Sequence, residues 1–269
     1  MSLTSLGCDM NIAFLGFGTI SRQIYEYFQK NSRQSISFYG YFDPYINIAD
    51  HSLSRISSFE EILESPADMV IEAANQEAVK KYVPQLIRSG KNVISMSVGA
   101  YLDEYFYSEI TSLCNNSDYG TLHIPSGALP AVDAIQAVSR TKITEVHIVT
   151  RKPYSALDVG ENDTPGQAHG AVTVFEGSAK DAVAAFPKNI NISATLSLIS
   201  IGSTETRVRI IADPEVDKNI HKIYVKGDFG DLTVEIKSNP SSNPKTSVLA
   251  PLSVISLLEK MVSGIKFGS

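Results

Sequence analysis

Tryptophan is missing from the 269 residues, and cysteine occurs only as Cys8 and Cys114, far apart. Two distant thiols match no metal-ligand spacing, which disfavours structural zinc or a disulfide framework and favours a reducing compartment. No stretch approaches ~18 uninterrupted apolar residues, so no membrane span is expected. The first ten residues lack the basic start and apolar run of a signal peptide, and a cytoplasmic location is the expectation. Basic residues are outnumbered, 23 against 29 acidic ones, for a formal charge of −6. That balance argues against nucleic acid or an anionic membrane as the main partner, while leaving a small anion open, since a few local cations decide that. Internal repeats and low-complexity tracts are also absent.

What is present starts near the amino end. Ile12 to Leu15 reads as a short apolar strand, Gly16 and Gly18 as a tight turn, and Thr19 to about Phe28 as an amphipathic helix. A strand turning sharply into a helix aims backbone N–H groups and the positive end of the helix dipole at one spot, which suits a diphosphate. Gly16 makes the turn and Gly18 lets phosphates approach bare backbone; Gly16, Phe17, Gly18, Thr19 and Ile20 are the candidate contacts. The third fingerprint position is Ser21 rather than glycine, small but an imperfect match. A second apolar strand, Ile36 to Phe42, ends in Asp43, a carboxylate placed to accept from an adenosine ribose and to favour NAD over NADP. The alternative is an ordinary strand–turn–helix without a ligand.

Strand and helix then alternate. Ser57-Ser-Phe-Glu-Glu-Ile-Leu has the form of a capped helix, and Ala67 to Ala74 that of a buried strand. A helix over Gln76 to Ser89 stops at Gly90; a strand from Asn92, a helix over Leu102 to Asn115 and a strand from Leu122 follow. This is the signature of a parallel sheet covered on both faces, whose ligands sit beyond the carboxyl ends of the strands. Those ends carry Gly16–Gly18, Asp43, Ala74–Asn75, Ser97–Gly99 and Ser126–Ala128.

From about Pro130 the pattern changes. A helix over Ala131 to Thr141 leads to a strand over Glu145 to Arg151. Lys180 to Phe186 and Ile192 to Ile201 read as helices. Arg207 to Asp213, Lys222 to Gly227 and Asp231 to Lys237 read as strands, the last two as a hairpin. Leu249 to Met261 closes the chain as a helix. The fold class expected is α/β, an N-terminal Rossmann-type doubly wound parallel sheet plus a smaller α+β domain with a mostly antiparallel sheet. The expected divisions are 1–128, 129–246 and a terminal segment 247–269.

Three stretches of the second half carry candidate chemistry. Thr150-Arg151-Lys152-Pro153 either holds a carboxylate or ends a strand in solvent. Phe186-Pro187-Lys188-Asn189-Ile190-Asn191 precedes an apolar helix, which Asn191 either caps or extends toward a nicotinamide carboxamide. His221 at a loop-to-strand boundary suits proton transfer, in competition with His51, His123, His147 and His169. Lys245, Thr246 and Ser247 precede the last helix and suit a carboxylate or phosphate. No metal site is evident.

Taken in order, Gly16-Phe-Gly-Thr-Ile, Glu72-Ala-Ala, Ser95-Met-Ser-Val-Gly-Ala, Pro125-Ser-Gly-Ala, Thr150-Arg-Lys-Pro, Phe175-Glu-Gly-Ser-Ala, Phe186-Pro-Lys-Asn-Ile-Asn, Thr206-Arg-Val-Arg-Ile-Ile-Ala-Asp-Pro and Asn243-Pro-Lys-Thr-Ser resemble the L-aspartate dehydrogenase family over nearly the whole chain. The resemblance implies a Rossmann domain, a smaller α+β substrate domain and a final helix packing near the first. It implies dinucleotide contacts at Ala128 and Asn191, beside Ala74 at its strand end, and His221 as catalytic acid/base. The expected reaction is NAD-dependent, or NADP-dependent, oxidation of L-aspartate to iminosuccinate, then oxaloacetate and ammonia. Lys245, Thr246 and Ser247 are the first candidates for the substrate carboxylates, Arg151 or Lys152 the second. A homodimer is expected, as is release of iminoaspartate to a quinolinate-forming enzyme of NAD biosynthesis. Ser21 and Leu129-Pro130-Ala131 depart from the family pattern. The rival readings are a reductase of another small acid, of homoserine dehydrogenase or dihydrodipicolinate reductase type, and a non-catalytic NAD(H) sensor.

Overall fold

The computed structural model describes residues 10–31, 35–46, 52–154, 157, 170–186, 191–239 and 247–268. It divides into two compact units, residues 1–125 together with 251–268, and residues 126–250.

The first unit is built on five parallel strands in the order β2-β1-β3-β4-β5. These are β1 (Met10–Leu15), β2 (Ile36–Phe42), β3 (Met69–Glu72), β4 (Asn92–Ser95) and β5 (Leu122–His123). Consecutive residues Ile12 to Leu15, Met69 to Glu72 and Val93 to Ser95 are all buried. Neighbours along a strand point to opposite faces, so both faces of this sheet are covered. Its helices are α1 (Thr19–Lys30), α2 (Phe59–Glu64), α3 (Gln76–Arg88) and α4 (Glu104–Cys114), with a short 3-10 turn at Val98–Leu102. Their starts follow from capping: Ser58, Asn75 and Asp103 accept from the backbone N–H groups of Glu61, Ala78 and Phe106. Ser57 adds a reciprocal contact, its backbone N–H and hydroxyl both donating to Glu61. The 3-10 turn lies where the sequence reads simply as the exit of a strand.

The strand order places β1 between β2 and β3, with the chain crossing from one side of β1 to the other. Such a switch point opens a crevice at the carboxyl ends of β1 and β3.

The second unit carries α5 (Val132–Val138), β6 (Ile143–Lys152), β7 (Val172–Ser178), α6 (Ala179–Ala185), α7 (Asn191–Leu198), β8 (Arg207–Ala212), β9 (Asn219–Gly227) and β10 (Gly230–Ser238). Its sheet runs β10-β9-β6-β8-β7. β9 and β10 form the expected hairpin, and every neighbouring pair is antiparallel except β6 with β8. Burial alternates along β6 and β9, so one face is covered and the other open. The covered face holds Val146, Ile148, Val208, Ile210, Ile223 and Val225, packed in one core with Ile192 and Leu196 of α7. The last helix, α8 (Leu249–Val262), spans the division at Ala250. Within the first unit its Glu259 accepts from the Tyr27 hydroxyl at 3.1 Å.

Candidate functional site

At the turn from β1 into α1, Gly16 has φ +87°, the left-handed region that favours glycine. A Cβ there would lie 2.8 Å from the Ala74 Cβ and 3.0 Å from the Ala73 carbonyl oxygen, so only glycine lets the turn sit against the end of β3. A Cβ on Gly18 would meet nothing within 4 Å, and α1 starts on Gly18 without a side-chain cap. The first turn of α1 thus carries N–H groups without a side-chain cap at the positive helix end, beside open space at Gly18, which fits a diphosphate. Ser21 does not obstruct this turn. It is buried, and its hydroxyl turns back to donate to the Gly16 carbonyl at 2.7 Å.

Two of the expected contact residues already have partners within the chain. Phe17 is 0% exposed, its ring stacked on Tyr41 at 4.3 Å, and its N–H donates to Asp43 Oδ2 at 2.9 Å. Its side chain thus belongs to the core and its amide to Asp43, which leaves Gly18, Thr19 and Ile20 to offer donors at the turn. Asp43 is itself buried, and its other oxygen, Oδ1, accepts from Tyr45 and Ile46. It braces the glycine turn against the end of β2, a role its position after a strand did not reveal. Arg55, in a parallel bridge with Tyr41, donates to the Asp43 carbonyl at 3.2 Å.

Glu72, at the end of β3, is a residue the motif reading left without a role. Fully buried, it accepts from the Ala74 N–H and Ser97 hydroxyl on one oxygen, and from the Ser95 hydroxyl and the Met96 and Ser97 N–H groups on the other. Burial pushes its carboxyl above the ordinary range, and these donors oppose that shift. Glu72 thereby ties the exits of β3 and β4 to one point. Ala74, exposed beside Gly16, stands at that rim.

The second unit gathers its own polar group at one end of the covered sheet face. His221 on β9 pairs in register with Thr150 on β6, and the Thr150 hydroxyl lies 3.0 Å from His221 Nδ1. His221 is 3% exposed; burial and then the positive charge of Lys152 push its imidazole down to about 3. Lys152, two residues beyond Thr150 on the same face, is 4% exposed, and burial pushes its ammonium down to about 8. Ser247, also buried, donates to the Ser238 hydroxyl at 3.0 Å, and Ser238 donates to the Asn219 carbonyl.

Arg151 is corrected. Adjacent strand residues point to opposite faces, so Arg151 lies on the open side while Thr150 and Lys152 lie with His221. Its guanidinium Nε is 2.9 Å from the buried carboxylate of Asp213. Of the two second candidates, Lys152 is the one on the His221 face, where the alternation Val146, Ile148, Thr150, Lys152 continues the covered face of the strand.

Ala128 follows Gly127, whose φ of +58° is left-handed, in a turn closed by the Leu129 N–H on the Ser126 carbonyl. Asn191 is the first residue of α7, and its carbonyl accepts from Thr195. Of the other histidines, His147 lies on the open sheet face beside Glu145 at 2.9 Å, and His123 sits on β5 against Thr121. Lys245, Thr246, His51 and His169 lie outside the described residues. Among the described residues no group of three or more His, Cys, Asp or Glu side chains is placed to hold a metal ion. No helix among them is long and apolar enough to cross a membrane.

Both halves of the chain match known families. Residues 16–123 match the family model described as homoserine dehydrogenase, NAD binding domain, and residues 133–261 match aspartate dehydrogenase, C-terminal. An L-aspartate dehydrogenase of Methanosarcina barkeri is 41% identical over 79% of this chain and 80% of its own length. One of Methanothermobacter thermautotrophicus is 34% identical over 97% of this chain and 99% of its own. The crystal structure of aspartate dehydrogenase from Thermotoga maritima superposes with a TM-score of 0.78 at 29% identity, covering 96% of this chain and 99% of that one. The chain belongs to the L-aspartate dehydrogenase family.

Proposed function

We infer that this protein is an NAD(P)-dependent oxidoreductase that oxidises the Cα–N bond of L-aspartate to iminosuccinate, which water converts to oxaloacetate and ammonia. The observation that carries the reading is the buried His221–Thr150 pair with Lys152 on the same face, inside the stretch that matches the aspartate dehydrogenase model.

A bound nicotinamide would supply the acceptor for the hydride of the substrate Cα. The chain supplies the rest by binding and positioning. Gly18, Thr19 and Ile20 offer first-turn N–H groups to the diphosphate, Ala74 lines the rim, and Ala128 and Asn191 contribute further dinucleotide contacts. His221 is held neutral by its surroundings, and Thr150 fixes one ring nitrogen, leaving Nε2 to take a proton from the substrate ammonium. Loss of that proton frees the nitrogen lone pair to form the C=N bond as the hydride departs. Ser247, with Lys245 and Thr246, is assigned to the substrate carboxylates; Arg151, bound to Asp213 on the opposite face, gives up that role to Lys152.

The physiological assignments follow the same reading: supply of iminoaspartate to a quinolinate-forming enzyme in NAD biosynthesis, in the cytoplasm. A second copy of the chain is proposed to cover the open face of the second sheet, where a groove of about 690 Å³ is lined by Glu145, His147, Arg207, Arg209, Tyr224 and Lys226 among others. Sedimentation equilibrium reads the stoichiometry: a dimer is expected, and a monomer at micromolar concentration contradicts it. The test of the activity is reduced-nicotinamide formation from a panel of amino and hydroxy acids, with NAD and NADP in turn.

A further inference from the structure

Lys152 has an environment that a structural lysine does not need. An ammonium withdrawn from water is costly unless a counter-charge or several acceptors meet it. No ion pair or hydrogen bond joins its Nζ to a described residue, the side chain is 4% exposed, and burial accounts for its weakened hold on the proton. The carboxylate nearest along the ladder, Asp213, follows Ala212, the β8 partner of Lys152. Asp213 is already engaged, Oδ2 by Arg151 at 2.9 Å and Oδ1 by the Glu215 N–H at 2.8 Å.

The surroundings of Lys152 are short of anions and supplied with polar groups. Asn219 lies one residue beyond the Arg151↔Ile220 pair and two before His221, on the His221 face. Its buried Oδ1 has no hydrogen-bond partner among the described residues, and neither does the buried Ser193 hydroxyl on α7. The groups in register with His221 on its face are Thr150, with Lys152 two residues on, from β6, and Ile236 from β10; α7, packed on the same sheet core through Ile192 and Leu196, carries Ser193, Thr195 and Ser197. The covered face of β8 adds Val208, Ile210 and Ala212. Among the described residues, these strands and α7 put no carboxylate on the face of His221: Glu145 on β6 and Asp231 and Glu235 on β10 alternate to the other side. The described part of the site therefore holds a positive charge beside a proton acceptor, with no described carboxylate set against it.

We propose that Lys152 binds a carboxylate of the dicarboxylic substrate next to His221, and that this anion, by cancelling the lysine charge on the face the two residues share, assists His221 in accepting the amine proton. The inference rests on the aspartate reading and deepens it. An empty site keeps the imidazole a poor base, first because it is buried and then because the lysine charge opposes a second positive charge beside it. A bound carboxylate removes that opposition, so proton acceptance is coupled to the arrival of a substrate of the correct charge. An amino acid with one carboxylate must choose between the anchor that orients Cα and the one that activates the base, which gives the coupling a consequence for specificity.

Succinate, a dicarboxylate with no amine to oxidise, is the probe. Calorimetric titration of succinate into the NADH-loaded protein is expected to show saturable binding, weakened about 30-fold or more in Lys152→Met, with NADH affinity within about twofold of the parent. The variant is expected to melt no lower than the parent, since a buried unpaired charge is replaced by an apolar side chain of similar length. In the unaltered protein, NMR titration of the His221 imidazole with and without saturating succinate is expected to show its titration moved upward by about one pH unit or more. This second measurement needs no variant and stands if Lys152→Met does not fold. Unchanged succinate affinity in the variant, a lowered melting temperature, or a His221 titration indifferent to succinate overturns the proposal. The two readings fail separately. No aspartate oxidation by the unaltered protein refutes the activity, whereas aspartate oxidation with succinate binding indifferent to Lys152 refutes only this role of the lysine.

Discussion

Ala131, with φ +57° and ψ +31°, is the non-glycine residue held in the left-handed region among the described residues. It caps α5 through its backbone alone, directly after Pro130. Left-handed backbone costs a side-chain-bearing residue roughly 1–2 kcal/mol, partly offset because glycine gains more freedom when unfolded. Ala131→Gly is therefore expected to raise stability by about 0.5–1 kcal/mol in urea unfolding; a loss of stability shows that the methyl group is needed for packing. Glu72 gives the opposite case. Replacing it with glutamine turns an amide NH₂ toward a set of donors, leaving at least one buried N–H or hydroxyl unmatched. Glu72→Gln is expected to cost about 2 kcal/mol or more in the same assay. A neutral outcome contradicts the view that this carboxylate holds the exits of β3 and β4 together. Glu72 was visible in the sequence as part of Glu72-Ala-Ala, yet its partners were not. Ser95, Met96 and Ser97 meet it only because β3 and β4 lie side by side, and the 3-10 turn that follows was read as no more than a strand exit.

At the scale of the element, β6 shows what a sequence pattern tells and what it withholds. Its alternation identified the strand and, carried to the end, puts Thr150 and Lys152 on one side and Arg151 on the other. The parallel pairing of β6 with β8 was not legible, because the order of strands in a sheet depends on the crossovers rather than on the residues of any one strand. Asp213 follows from that pairing, and with it the reason Arg151 is engaged on the far side. The buried lysine also predicts a pH dependence of stability. Its folded value, about 8, lies below its ordinary 10.5. Between these values the unfolded chain binds more protons than the folded one, so stability attributable to Lys152 rises with pH from about 8 to 10.5 and is at its lowest below 8. The difference in unfolding free energy between parent and Lys152→Met, followed over that window, is expected to shift toward the parent as pH rises. A flat difference shows the ammonium to be solvated. The turn between β1 and α1 was the most legible element, because its requirements are local: a positive φ at Gly16 and bare backbone at Gly18. The bracing of that turn by Asp43 was less legible, since the same carboxylate at the end of a strand also suits a ribose.

At the scale of the molecule, the change of pattern near Pro130 separated a buried parallel sheet from a sheet with one open face, and burial shows why it was visible. Continuous apolar strands such as Ile12 to Leu15 belong to a sheet covered on both sides, while alternating strands such as Lys222 to Gly227 belong to one covered on a single side. The catalytic assignment is a property of neither pattern. His221 is one histidine among five in the sequence, and it stands apart from the described His123 and His147 only by its placement beside Thr150 and Lys152. The central claim is that this imidazole serves the oxidation of aspartate by a bound nicotinamide dinucleotide. Reduced-nicotinamide formation by the parent and by His221→Ala, with aspartate against a panel of amino and hydroxy acids, tests it most directly. The account predicts turnover of aspartate in preference to homoserine and the other acids, a loss of about 10²–10⁴-fold in kcat for the variant, and unchanged dinucleotide affinity. Absence of aspartate turnover in the parent, or turnover by His221→Ala at the parent rate, contradicts it.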